Sequence, residues 1–353
     1  MFLARTCALF AALIAALHAG VAHSEADQDG WHYDKQPIMG TEVHLQFWLE
    51  EGNEEGKKAE AVTKAVMDEF RRIDAALSPY KENSELSRIN RHAGQGPQQI
   101  TDELAAIVDK SLWYSAQTGG AFDITFATLG NLYDFRKGEQ ADDKTTEALL
   151  PAVNYRHLQL DRKNHTLAFT DPRTRIDLGG IAKGYAVDRA IAILQQHGVH
   201  NASVSAGGDA RLLGDKRGKP WLIGIRHPRN KGRNAAVLPL DNTAISTSGD
   251  YERFFIDDDR QRVHHIFNPA TGRPADTDSA GDTSDSDKLI SVSILGPQGF
   301  DTDPLSTSVF VLGKHKGLAL IEKMPGFEAI VIDANHRLFF SSGLQNPEPD
   351  NAD

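Results

Sequence analysis

The stretch Asp177-Leu178-Gly179-Gly180-Ile181-Ala182-Lys183-Gly184-Tyr185-Ala186-Val187-Asp188 puts carboxylates, a lysine and glycines close together. It follows an apolar, strand-like segment and leads into the amphipathic run Ala190 to Leu194, stopped by Gly198, the layout of a strand, a glycine turn and a helix. Glycine lets a backbone approach a ligand closely, and the first free N–H groups of a helix seat phosphate. The same residues also read as plain turn chemistry before a helix. The spacing is neither G-x-G-x-x-G nor that of a phosphate-binding loop ending in Gly-Lys-Ser/Thr, so those two nucleotide folds are not supported. A second polar window, Asp276 to Asp287, is rich in Asp, Ser and Thr and reads as a mobile solvated loop, its spacing a poor match to a calcium loop.

The chain of 353 residues is long enough for two typical domains or one large one. Residues 1–24 read as a secretory signal peptide: Arg5, the apolar run Cys7 to Ala16, and small residues before cleavage options after Ala22 or Ser24. The run is short for a membrane span, so the expected mature protein is exported, without a transmembrane segment. Cys7, the only cysteine, lies inside the leader and away from its end, which argues against a lipid anchor. The mature chain then has no thiol for disulfides, nucleophilic catalysis or metal binding. Loss of Arg5 takes the formal charge from −11 to about −12. Such a surface repels nucleic acid and anionic membranes, and a polyanionic ligand would need a cation to help it bind.

The elements that must position these residues follow from periodicity. Val43, Leu45 and Phe47 alternate as in a half-buried strand, after a polar segment at 25–38. Val62, Val66, Phe70, Ile73 and Leu77 share one face of a helix that ends before Ser78-Pro79-Tyr80. Asn83 to Asn90 reads as a polar turn or short helix, and Thr101 caps a helix that ends at Gly119-Gly120. Region 137–150 is a solvated surface element, and His157 to Asp171 is a pair of short strands around Lys163-Asn164. Ala202 to Ser205, Trp221 to Ile225 and Leu289 to Leu295 read as strands, and Ala244 to Tyr251 enters a hairpin tipped by Asp257-Asp258-Asp259. Asp303 starts a helix with Pro304 in its first turn, before a last helix, Leu318 to Lys323, and a strand, Ala329 to Asp333. Strands and helices without a regular βαβ rhythm indicate an α+β fold with a mixed sheet.

In order along the chain stand Met39-Gly40-Thr41, Ser78-Pro79-Tyr80, Gly120-Ala121-Phe122-Asp123-Ile124, the 177–188 stretch, Gly207-Gly208-Asp209, Thr247-Ser248-Gly249-Asp250-Tyr251, His265 with Pro269-Ala270-Thr271-Gly272, and Asp303 with Ser306-Thr307. Together they resemble the ApbE family, the FAD:protein FMN transferases, from about residue 39 to about 335. The resemblance implies a T-fold-like α+β domain at 39–340, with a largely antiparallel sheet, flanking helices and two lobes around a flavin cleft, followed by a tail at 341–353. It implies transfer of the FMN half of FAD to a threonine hydroxyl of an exported, periplasmic flavoprotein subunit, with AMP leaving and Mg2+ required.

Carried over by position, Met39, Tyr80, Ala121, Phe122, Asp123, Asp177, Lys183 and Phe267 match the family's FAD-contact positions. Asp303 and Thr307 match its magnesium side-chain ligands, and Gly180 a ligand through its carbonyl. Ser306 stands where some members carry a further aspartate ligand, and its role stays open. A hard cation with one carboxylate, one hydroxyl and a carbonyl suits a pyrophosphate substrate. His265 is the candidate base for the acceptor hydroxyl, or a strand histidine that orients a neighbour. Asp303 can ligate, cap a helix, or do both, and Tyr80 and Phe122 can equally be core aromatics. Two other activities fit the same residues: a metal-dependent FAD pyrophosphatase, and a flavin-binding protein without turnover.

Overall fold

The computed structural model describes residues 25–26, 30–50, 52, 55–230, 232–258, 260–275 and 287–345. The leader with Cys7, the acidic window at 276–286 and the tail beyond 345 lie outside the described residues. The frame is a nine-stranded sheet, antiparallel at every pairing. Its centre runs through Thr41–Trp48, Ala202–Ala206, Asp209–Leu213, Ala244–Gly249, Leu289–Gly296 and Glu328–Asp333.

The strand Leu289–Gly296 is buried along its whole length because both faces of the sheet are covered. Val292 and Ile294 face the main core, whereas Leu295, with Ile245 and Ile330, packs under the hairpin made by Trp221–Arg226 and Asn234–Leu240. This period of two is why a continuous apolar run can still divide its side chains between two layers. On the main-core side lie the helices Glu55–Leu77, Ala182–Gln196 and Gly299–Ile321. Val62, Val66, Phe70, Ile73 and Leu77 are all buried, as their spacing requires. Each such side chain contributes about 1.5–3 kcal/mol of burial.

Three local expectations change. The polar segment before Met39 contains the strand Trp31–Ile38, paired with Thr41–Trp48 through the turn at Met39 and Gly40. Its outward Tyr33 and Lys35 hid the alternation, since an edge-ward strand carries polar residues on its wet face. The segment before Asp177 is not a strand: the preceding one ends at Phe169, and an irregular stretch is pinned instead by Asn90. Asn90 donates to the Ile176 carbonyl and accepts from its N–H, each at 2.8 Å. Finally, the helix expected to start at Asp303 starts at Gly299, with Gln298 before it. Pro304 therefore lies inside it and withholds an interior N–H. The same helix kinks at Gly313, whose φ of 77° breaks it before the last turns.

Candidate active site

The site forms where two helices cross at their N-terminal ends. A Cβ on Gly184 would stand 2.0 Å from the Gly299 carbonyl oxygen and 2.7 Å from the Asp303 Cβ, so only glycine permits this approach. At that distance the helices cap each other. Asp303 Oδ2 accepts from the Gly184 N–H at 3.0 Å, and Asp188 accepts from the N–H groups of Gly299 and Phe300 at 2.9 and 2.8 Å. Neither helix has a side-chain cap of its own, and each carboxylate satisfies free donors of its neighbour. Asp303 is thus a cap, but of the other helix.

Lys183, in the first turn of Ala182–Gln196, makes an ion pair with Asp209 and stands 3.5 Å from Asp303 Oδ2. Asp209 and Asp303 are both buried, with relative exposures of 2 and 3 %. Two buried carboxylates share one ammonium, so the junction carries an excess of negative charge. Burial first, and Asp209 second, raise the Asp303 carboxyl to about 7. Burial works to lower Lys183, yet the charges of Asp209 and Asp303 hold it above its usual range. All contacts of the Asp303 carboxylate fall on Oδ2, and Oδ1 has no hydrogen-bond or ion-pair partner among the described residues.

Thr307 lies one turn beyond Asp303, and its Oγ1 would be 3.5 Å from a Cβ on Gly180. Ser306 turns inward: it donates to the Asp303 carbonyl at 2.9 Å and pairs with Ser248 Oγ at 2.8 Å, and Ser248 lies 3.4 Å from Thr307 Oγ1. Gly180, Asp303 and Thr307 therefore meet, and Ser306 supports them from behind. The donor types are carboxylate, hydroxyl and main-chain carbonyl, which fit a hard divalent cation that keeps several waters. Among the described residues no group of three or more His, Cys, Asp or Glu is placed to hold a metal ion.

The second part of the site is aromatic. Phe267 stacks on Phe126 at 6.0 Å and meets Tyr133 edge-on at 4.6 Å; Tyr133 stacks on Phe135, which meets the His265 ring at 6.5 Å. His265 Nδ1 lies 3.2 Å from the Arg253 carbonyl, and its own N–H bonds the same oxygen at 3.1 Å. A carbonyl only accepts, so Nδ1 carries the hydrogen and Nε2 keeps its lone pair. Burial, then His264 and Arg253, depress the ring to about 3.

The remaining expected residues fall around these two parts. Phe122 is buried, with Cε2 3.2 Å from a Cβ on Gly180, and so packs under the metal-side turn; Ala121 precedes it, half-buried. Asp123 is fully engaged within the chain: Oδ1 accepts from Thr125 and Oδ2 from the Tyr155 N–H at 2.7 Å. Asp177 is half-buried, accepts from the Gly179 N–H at 2.5 Å and is raised by burial. Met39 holds a φ of 56° in its turn, and Tyr80 is 84 % exposed. Asp209, Asp188 and Asn90 are the residues that sequence reasoning left without a role. The signal for Asp209 was present, a carboxylate after two glycines at a strand start, but its partner Lys183 is 26 residues away. Two surface cavities, one beside Trp113 and Met324 and one beside Asn201 and Asp215, include none of the expected residues.

The chain is similar to known proteins in sequence and in fold. The sequence profile of the ApbE family matches residues 39–331. The FAD:protein FMN transferase of Treponema pallidum is 31 % identical over 309 residues, covering 82 % of each chain. That of Vibrio cholerae is 30 % identical over 317 residues, covering 88 % of this chain and 90 % of the relative. Among solved structures, the ApbE protein of Thermotoga maritima superposes with a TM-score of 0.78 at 28 % identity, covering 89 % of this chain and 98 % of that one. The flavin transferase ApbE of Vibrio cholerae gives 0.74 at 26 % identity, with the same coverage.

Proposed function

Because the chain belongs to the ApbE family, we propose that it is an FAD:protein FMN transferase acting on an exported flavoprotein subunit. The acceptor threonine oxygen bonds to the FMN-side phosphorus of FAD, the bond from that phosphorus to the bridging oxygen breaks, and AMP leaves with that oxygen. The single observation that carries this reading is the meeting of Gly180, Asp303 and Thr307, from segments more than 120 residues apart, with every hydrogen bond of the Asp303 carboxylate on Oδ2, so that Oδ1 is left for a ligand.

Those three residues would hold Mg2+, which supplies charge neutralisation at the pyrophosphate. Lys183 limits repulsion between Asp209 and Asp303, and so opposes the rise that burial and Asp209 impose on the Asp303 carboxyl. His265 is the proton acceptor: its Nδ1–H is held by the Arg253 carbonyl and Nε2 is unprotonated at neutral pH. Its ring is a weak base in the free chain, and an anionic phosphate beside it raises its proton affinity. The aromatic row from Phe126 to Phe135 offers a wall for the flavin, with Phe267 central to it. Residues 1–24 would direct the chain to the periplasm, where such acceptors reside.

Incubation of the protein with FAD, MgCl2 and a threonine-containing acceptor subunit tests the proposal. A covalent fluorescent acceptor band is the expected result. Free FMN without that band would replace it with pyrophosphatase activity, and unchanged FAD with simple flavin binding.

A further inference from the structure

Arg253 is an exposed cationic group beside the site. Among the described residues its guanidinium has no carboxylate within 4 Å and no hydrogen-bond acceptor. By contrast Arg229 and Arg262, on the same side of the molecule, reach Asp250. A Cβ placed on Gly40 would lie 3.4 Å from Arg253 Nη2, so the guanidinium rests against the turn that carries Met39. Its carbonyl holds both the main chain and the ring of His265. Phe255, two residues on, packs against Phe135, which meets the His265 ring. The positive charge is also felt at Asp177, Tyr80 and His265. The guanidinium thus faces the space bounded by the Met39 turn, Tyr80, Asp177 and His265.

Charge balance says what belongs there. The carboxylates of Asp209 and Asp303 are paired within the chain by Lys183 alone, Asp177 adds a third, and the pyrophosphate of FAD adds two negative charges. One divalent ion at Asp303 cannot neutralise both sets. A planar guanidinium with its donors unused suits phosphate oxygens, which it binds in a fork.

We propose that Arg253 is a substrate-binding residue that contacts the pyrophosphate of FAD from the side opposite the metal ligands. This rests on the transferase reading, and it assigns the pyrophosphate a second cationic contact supplied by the chain itself. The backbone bond to His265 does not depend on the side chain, so the two roles of this residue can be separated by substitution.

The test is the affinity of the full chain, with MgCl2 present, for FAD, ADP and riboflavin, in wild type, Arg253→Gln and Arg253→Lys, read by flavin fluorescence and by calorimetry for ADP. Arg253→Gln should weaken FAD and ADP by about ten- to a hundredfold. Riboflavin, which has no phosphate, should bind all three forms equally, and Arg253→Lys should regain part of the FAD affinity. Equal FAD affinity in wild type and Arg253→Gln would overturn the assignment. So would an equal loss for riboflavin, which would put the guanidinium on the flavin ring. Should Arg253→Gln fail to fold, Arg253→Lys decides alone: a loss for FAD and ADP with riboflavin binding unchanged upholds the contact, whereas wild-type affinity for all three or an equal loss for all three refutes it. A wild-type chain that binds no FAD refutes the transferase reading as well, and so is distinct from every result above.

Discussion

The helix junction and the aromatic row do different work with different construction. At the junction, Lys183, Asp209, Asp303, Gly180 and Thr307 sit on or beside core elements, and the two helices that carry most of them are locked by Asp303 and Asp188 capping across the crossing. In the aromatic row, Phe126, Tyr133, Phe135 and His265 lie on short turns and a small hairpin, held by ring contacts and by bonds to a main-chain carbonyl. A group that must stay charged while buried needs an over-determined frame, because a shift that separates Asp303 from Lys183 leaves an unpaired charge inside the protein. A surface for a flat ring needs only shape, and a loop can supply it. Substitutions at the junction should therefore alter stability and chemistry together, and substitutions of the row's half-buried rings Tyr133 and Phe135 should alter binding alone.

The largest effect expected is at Asp303. Asp303→Ala removes the free carboxylate oxygen and the cap of Gly184, and FMN transfer should fall by at least about a hundredfold, measured as the rate of acceptor flavinylation. Surviving transfer would break the junction side of the comparison. Next comes Gly184→Ala, whose new methyl collides with the Gly299 carbonyl; urea unfolding should show a loss of about 3 kcal/mol. A neutral result would mean that the crossing is not tight. Asp188→Ala uncaps Gly299 and Phe300 and should cost about 1–2 kcal/mol in the same assay.

The pH dependence sharpens the contrast further. The folded Asp303 carboxyl, at about 7, lies above its ordinary value of 3.8, so the native state binds this proton more tightly than the unfolded chain does. Its stabilising contribution is complete below 3.8 and is lost as pH rises through about 7. The metal-free protein should accordingly lose Tm over this window more steeply in wild type than in Asp303→Asn, and parallel curves would exclude the buried-carboxylate account. The smallest effect belongs to the exposed ring of Tyr80. Tyr80→Ala should weaken FAD about three- to tenfold by fluorescence titration. Unfolding should shift by no more than about 0.5 kcal/mol.

Much of the scaffold was legible from spacing. The helical face from Val62 to Leu77, the cap at Thr101 and the strands at 43–47, 202–205 and 289–295 appear as read. These elements bury one regular face, so period alone reveals them. Trp31–Ile38 escaped because its outward residues are charged and polar, and the start of Gly299–Ile321 escaped because its cap comes from Asp188, far away in the chain. The glycines of the 177–188 stretch read as a close approach to a ligand, and at Gly184 the body that approaches is a helix.

Residue types and their order along the chain suffice to place this protein in its family and to nominate Gly180, Lys183, Asp303 and Thr307. Those features are local, and each is readable within a few residues. Only folding decided that Asp303 serves the amide of Gly184, 119 residues away, that Asp209 shares its lysine, and that Arg253 is left facing the site with its charge unmatched. Such pairings depend on how closely helices and strands pack, and packing distances of a few ångströms are set by contacts distributed over the whole core.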